Sequence, residues 1–231
     1  SADTFSQHTY PLVRQTFGSE WSPGIDGDPR VYILHAANLG AGIAGYFAYE
    51  SEEPPQAVST SNAHEMFFIN LDAMASILGT ASYDAVLAHE FQHMVHWHID
   101  LNEDTWLGEG LSELAALLTG FDRRGFASIY LNAPQTQLNT WPDDNNQLAR
   151  YGAAFLFITY FHERFGLGAT RALVADPANG FASVDDTLQR LAITDPLTGE
   201  LVTHQDVFAD WTIANLLNDP AVGDGRYAYT L

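Results

Sequence analysis

His89-Glu90-Phe91-Gln92-His93 is the stretch on which the reading of this chain turns. It has the pattern H-E-x-x-H. On a helix, residues four apart differ by about 40° in azimuth and about 6 Å in rise, so both imidazoles lean over one face. Two neutral imidazoles so placed can share one Zn²⁺ at about 2.0–2.1 Å, and the intervening Glu is positioned to handle a proton of water on that ion. So short a motif also arises by chance in unrelated helices, so its flanks have to support it. Tyr83-Asp84-Ala85-Val86-Leu87-Ala88 precedes it without Gly or Pro and is mostly apolar on one side, which predicts a buried helix over 83–98. Ser82 is the expected cap, and Asp84 falls in the first turn, where the helix dipole favours negative charge.

A second acidic helix is predicted over 105–119, with Asp104 or Thr105 as its cap. Leu107, Leu111, Leu114 and Leu118 recur at spacings of three and four and form an apolar stripe. Glu109 and Glu113 are four apart and share a face. A catalytic zinc site commonly has three protein ligands and one position for water, and Glu109 would complete a His₂Glu set with His89 and His93. Glu113, one turn on, is suited to accept a hydrogen bond from a ligand imidazole and so fix its tautomer.

The segment Trp106-Leu107-Gly108-Glu109-Gly110-Leu111-Ser112-Glu113 resembles the W-L-N-E-G-x-[AS]-E segment of gluzincin zinc peptidases. Paired with His89-Glu90-Phe91-Gln92-His93, it is most similar to the hyicolysin-like secreted bacterial metallopeptidases. That resemblance implies His89, His93 and Glu109 as zinc ligands, Glu90 as general base, and an exported protein. It covers residues 83–118 and extends, less specifically, to 150–166. Two departures are visible. Gly108 replaces the usual Asn, and the fifteen residues 94–108 separate His93 from Glu109, fewer than in the aminopeptidase N family. Related gluzincins set a Tyr or His from a downstream helix over the metal, where it steadies the oxyanion of the tetrahedral intermediate. Tyr151, in Arg150-Tyr151-Gly152, is the candidate here, with Tyr160 and His162 as alternatives that spacing does not separate. A metzincin site is excluded, because His96 occupies the position of its Gly and Ile99 that of its third His. His96 and His98 read as ordinary residues near a helix C-terminus.

Along the chain, residues 1–78 read as strand-rich, with runs at 31–35, 44–49 and 66–70 bounded by Gly and Pro. Residues 50–62 and 132–147 have loop composition. Further helices are expected over Leu148 to Phe165 (ending at Gly166) and His204 to Leu217, with a shorter one at Asp185 to Leu191. Sheet first and helices later, with the metal at their junction, predicts a zincin-like α+β fold. The chain is then one catalytic domain of 231 residues, with a strand-rich lobe over about 1–100 and a helical lobe over about 101–231.

Composition narrows the partners. Apolar residues make up 46% and aromatics 13%, enough for a sizeable core. No run of 18 apolar residues is present, so no membrane span is expected. Nine basic residues against 29 acidic ones give a net charge of −20, which argues against nucleic acid, since phosphate neutralisation needs clustered Lys and Arg. The absence of cysteine removes disulfides and thiolate ligands. Asp26-Gly27-Asp28 and Asp143-Asp144-Asn145-Asn146 carry oxygen ligands of the kind Ca²⁺ takes, without full EF-hand spacing.

The expected activity is zinc-dependent hydrolysis of peptide bonds in a protein or peptide substrate. No G-x-M-E-N strand of the kind that helps aminopeptidases grip a free amine is present, and Gly42-Ile43-Ala44-Gly45-Tyr46 does not match it. An endopeptidase that pairs its substrate with an edge strand is therefore expected. An aminopeptidase, an inert zincin-fold scaffold and a metal-free α+β protein are the alternatives, and an intact Glu90 argues against the scaffold.

Overall fold

The computed structural model describes residues 2–121 and 124–231. The chain opens with α1 (Ala2–Thr4), a π-helical turn (Phe5–Thr9) and α2 (Tyr10–Phe17). Three short strands follow, β1 (Tyr32–Ala36), β2 (Gly45–Phe47) and β3 (Met66–Asn70). The rest is helical: α3 (Leu71–Met74), α4 (Ala81–Ile99), α5 (Thr105–Leu118), α6 (Arg124–Leu131), α7 (Gln147–Val174), α8 (Phe181–Arg190) and α9 (His204–Leu217). This is an α+β protein in which a small mixed sheet accompanies a majority of helix. Among the described residues, no helix is long and apolar enough to cross a membrane.

Strand β3 is central in the sheet order β1-β3-β2, parallel to β1 and antiparallel to β2. All five of its residues are buried, which explains why Met66-Phe67-Phe68-Ile69 shows no alternation: neither face meets water. Phe67 meets Phe5 edge-on at 5.9 Å, and Phe5 meets Phe91 of α4 at 5.4 Å. The N-terminal helical run and the motif helix therefore share one aromatic core. Here the strand-rich expectation needs correction, because residues 2–17 are helical. Phe5, Thr9, Val13 and Phe17 are buried at intervals of four, a helical stripe. Pro11 falls in the first turn of α2, where a missing N–H costs nothing.

The chain divides into two compact units. The first comprises residues through Leu101 and a stretch beginning at Ala115; the second takes Asn102–Leu114 and the chain from α6 onward. Helix α5 thus gives residues to both. In the first unit, Ala85 and Ala88 of α4 pack with Ala116 and Phe121.

In the second, Phe157 of α7 meets Trp106, Phe181 and Trp211 edge-on at 5.5–6.0 Å. Glycines admit the close packing of α7. A Cβ at Gly110 of α5 would lie 2.8 Å from the Ala154 carbonyl oxygen, and one at Gly152 would lie 2.8 Å from Tyr130 Cβ of α6. The first helical run of α7 ends at Gly166 as expected, and a second run follows across a kink. The backbone turns aside there (φ 80°, ψ 178°), then resumes as far as Val174.

Helix starts follow side-chain caps. Thr80, not Ser82, caps α4, its hydroxyl accepting from Tyr83 N–H at 3.4 Å, because the helix begins at Ala81 and leaves Ser82 inside it. Thr203 and Asp206 form a reciprocal capping box at the start of α9. Thr203→Ala should cost about 1 kcal/mol, read as a fall of about 2–4 °C in melting temperature for a chain of this size.

Candidate metal centre

The histidine pair is set by α4 alone. His89 and His93 lie one turn apart, their rings nearly perpendicular at 79°, with the two Nε2 atoms 3.1 Å from each other. Two nitrogens bound to one tetrahedral zinc at about 2.05 Å would lie about 3.3 Å apart. The pair is therefore spaced as co-ligands of a single ion. Glu109 of α5 brings a carboxylate oxygen, and one ligand atom from each of His89, His93 and Glu109 lies within 4.8 Å of the other two. Two neutral imidazoles and a carboxylate are a donor set suited to zinc, whereas Ca²⁺ and Mg²⁺ prefer oxygen alone.

Glu90 is buried beside the edge strand β2. Its Cγ lies 3.2 Å from where a Cβ on Gly45 would stand, so the absent side chain of Gly45 makes room for it. Glu113, four residues beyond Glu109 on α5, is also buried. Burial of two carboxylates on the helices that carry these three candidate ligands is costly unless each has a specific partner.

Tyr151 sits in the first turns of α7, half-buried in an aromatic cluster, stacked on Phe126 at 5.6 Å and edge-on to Trp141 at 5.1 Å. The two alternatives are engaged in the interior of the second unit. The Tyr160 hydroxyl accepts from Arg164 at 3.0 Å, and His162 Nδ1 pairs with the Thr170 hydroxyl at 2.8 Å. Burial pushes the Tyr160 phenol up to about 12.

His96 departs from the expectation of an ordinary helix-end residue. It is buried, its Nε2 has no hydrogen-bond partner, and burial, followed by the nearby His93, pulls its pKa down to about 4. His96, Asp100 and Glu103 also bring ligand atoms within 4.8 Å of one another. The signal in the sequence was the repeat of the four-residue interval, His96 to Asp100, one turn beyond the motif. His98 is exposed.

The two acidic loops considered for calcium hold ion pairs. Asp26 Oδ2 pairs with His64 Nδ1 at 2.6 Å, Asp28 takes Arg30 Nε at 2.9 Å, and Asp144 accepts from Arg150 Nη2 at 2.8 Å. The neighbouring cations hold the Asp28 and Asp144 carboxyls below the usual carboxylate range.

No protein-family model matches this chain, and a search of curated proteins finds no match.

Proposed function

We propose that the chain is a zinc-dependent endopeptidase of zincin-like architecture, exported from the cell. The observation that carries this reading is the convergence of one ligand atom each from His89, His93 and Glu109 within 4.8 Å. A zinc ion held by these three residues supplies a Lewis acid for the scissile carbonyl and lowers the pKa of water. Glu90 accepts the proton of the attacking water and returns it to the leaving amine. Glu113 orients a ligand imidazole. Tyr151 donates its phenolic hydrogen to the oxyanion of the tetrahedral intermediate. The edge strand β2, against which Glu90 packs, offers main-chain groups to an extended substrate.

The test is elemental analysis of the purified chain together with digestion of a peptide blocked at both ends. About one zinc per chain and internal cleavage, lost on chelation and restored by zinc, are the expected results. A chain that takes up no zinc on resupply would end the proposal. Zinc uptake with removal of residues from a free N-terminus, and no cut in the blocked peptide, would make it an aminopeptidase.

A further inference from the structure

Besides Glu90, three glutamates among the described residues of the first unit are buried, Glu20, Glu52 and Glu65, none more than 5% exposed. Glu20 is compensated. Arg14 Nε lies 3.3 Å from Oε2, and the Tyr10 hydroxyl donates to Oε1 at 2.6 Å. The other two are not. Glu65 Oε1 accepts from Ile25 N–H at 2.7 Å, but its Oε2 is buried with no hydrogen-bond partner. Glu52 Oε1 is buried and unpartnered in the same way.

The two segments run together, since His64 N–H donates to the Ser51 carbonyl at 3.0 Å. The loop at Gly24 and Ile25 is shaped around the Glu65 carboxylate. Gly24 adopts a positive φ of 79°, and a Cβ there would fall directly on that group. The charged groups that act on Glu52 are carboxylates, those of Glu65 and Glu20. Glu65 in turn faces Asp26 and His64, which are already paired with each other.

We propose that Glu52 and Glu65 are ligands of a structural Ca²⁺ ion. An ionised carboxylate buried without a counter-charge is expensive, and here two buried carboxylates, one raising the pKa of the other, each have an unpartnered oxygen. Ca²⁺ takes six to eight oxygen ligands in flexible geometry, so two carboxylates with neighbouring main-chain carbonyls and water suffice. Asp26, Asp28 and Asp144, whose sequence context looked more like calcium loops, have their oxygens committed to basic side chains.

Titration fits the same assignment. Burial first, then the charges of Glu65 and Glu20, push the Glu52 carboxyl up from its ordinary 4.5 to about 8. A folded-state value above the unfolded one means that the ion-free fold is favoured by the proton at low pH. That advantage is lost as pH rises through about 8. The ion displaces this proton, so its binding tightens over the same range.

The experiment is a Ca²⁺ titration of the zinc-loaded chain at pH 8.5, followed by melting temperature and by calorimetry, with Glu52→Gln and Glu65→Gln in parallel. Glutamine keeps the shape and removes the charge, so both variants retain the fold. The parent is expected to gain about 5 °C or more at saturating Ca²⁺, with the gain shrinking toward pH 6. Glu52→Gln is expected to melt above the ion-free parent and to show no calcium response. No response in the parent, with Glu52→Gln still stabilised, would mean that the two carboxyls share a proton instead. A calcium response retained in both variants would place the ion elsewhere and equally overturn the proposal. Because melting is read rather than cleavage, the outcome is independent of whether the chain is a peptidase.

Discussion

Glu90→Gln should keep its zinc and lose peptidase activity by about 10²- to 10⁴-fold, the range that a general acid–base group contributes. The amide has nearly the same volume as the carboxylate, so the buried slot beside Gly45 is filled as before. It cannot accept a proton from water near neutral pH or pass one to an amine. His89 and His93 are untouched, and elemental analysis should still return about one zinc per chain. The comparison variant is His89→Ala, which should lose both metal and activity. Glu90→Gln cleaving at the parent rate would remove Glu90 from the chemistry; loss of zinc together with activity would make its role structural. A melting curve matching the parent's keeps the kinetic result interpretable.

Gly152→Ala is expected to be the most damaging conservative change to stability. In an isolated helix this substitution would help by about 1 kcal/mol. Here the added methyl would press on Tyr130 Cβ at 2.8 Å and Phe126 C at 2.9 Å, and more closely still on the Phe126 carbonyl oxygen. Those carbonyl atoms are helix backbone, so no rotamer change relieves the clash and α6 must move away from α7. Overpacking of this kind costs about 1–3 kcal/mol or more. A fall of about 5–10 °C in melting temperature is expected, at 2–4 °C per kcal/mol. Gly168→Ala, farther along α7 with nothing within 4 Å of the added atom, should instead raise the melting temperature slightly. If the two variants melt alike, close approach is not what Gly152 serves.

Helices α4 and α5 were legible because their apolar spacing and acidic positions are local properties, although the cap of α4 is Thr80 and not Ser82, and the pairing of His89 with His93 follows from helix geometry alone. The approach of Glu109 needed the two helices to meet, which the apolar stripe suggested but did not specify. Helix α2 was obscured by Pro11 and by aromatic residues that serve strands equally well. Helix α6 (Arg124–Leu131) lacked a pattern long enough to notice. Glu52 and Glu65 were invisible for a different reason. Glu52-Glu53-Pro54-Pro55 has the composition of a solvated loop, and only the tertiary fold turns one of those carboxylates inward. His96 was underread in the same way: burial, rather than position along the helix, gives it its character.

The path of the polypeptide carries a practical corollary. The first unit ends at Leu101 yet reclaims the chain at Ala115, so no single cut releases it whole. A fragment stopped after Leu101 would lack Ala116 and Phe121, leaving Ala85 and Ala88 without their packing partners. Its counterpart starting after the reclaimed stretch would lack Glu109. A single cut between the units therefore disrupts both, and stability and the proposed hydrolysis are to be measured on a chain that keeps the two together.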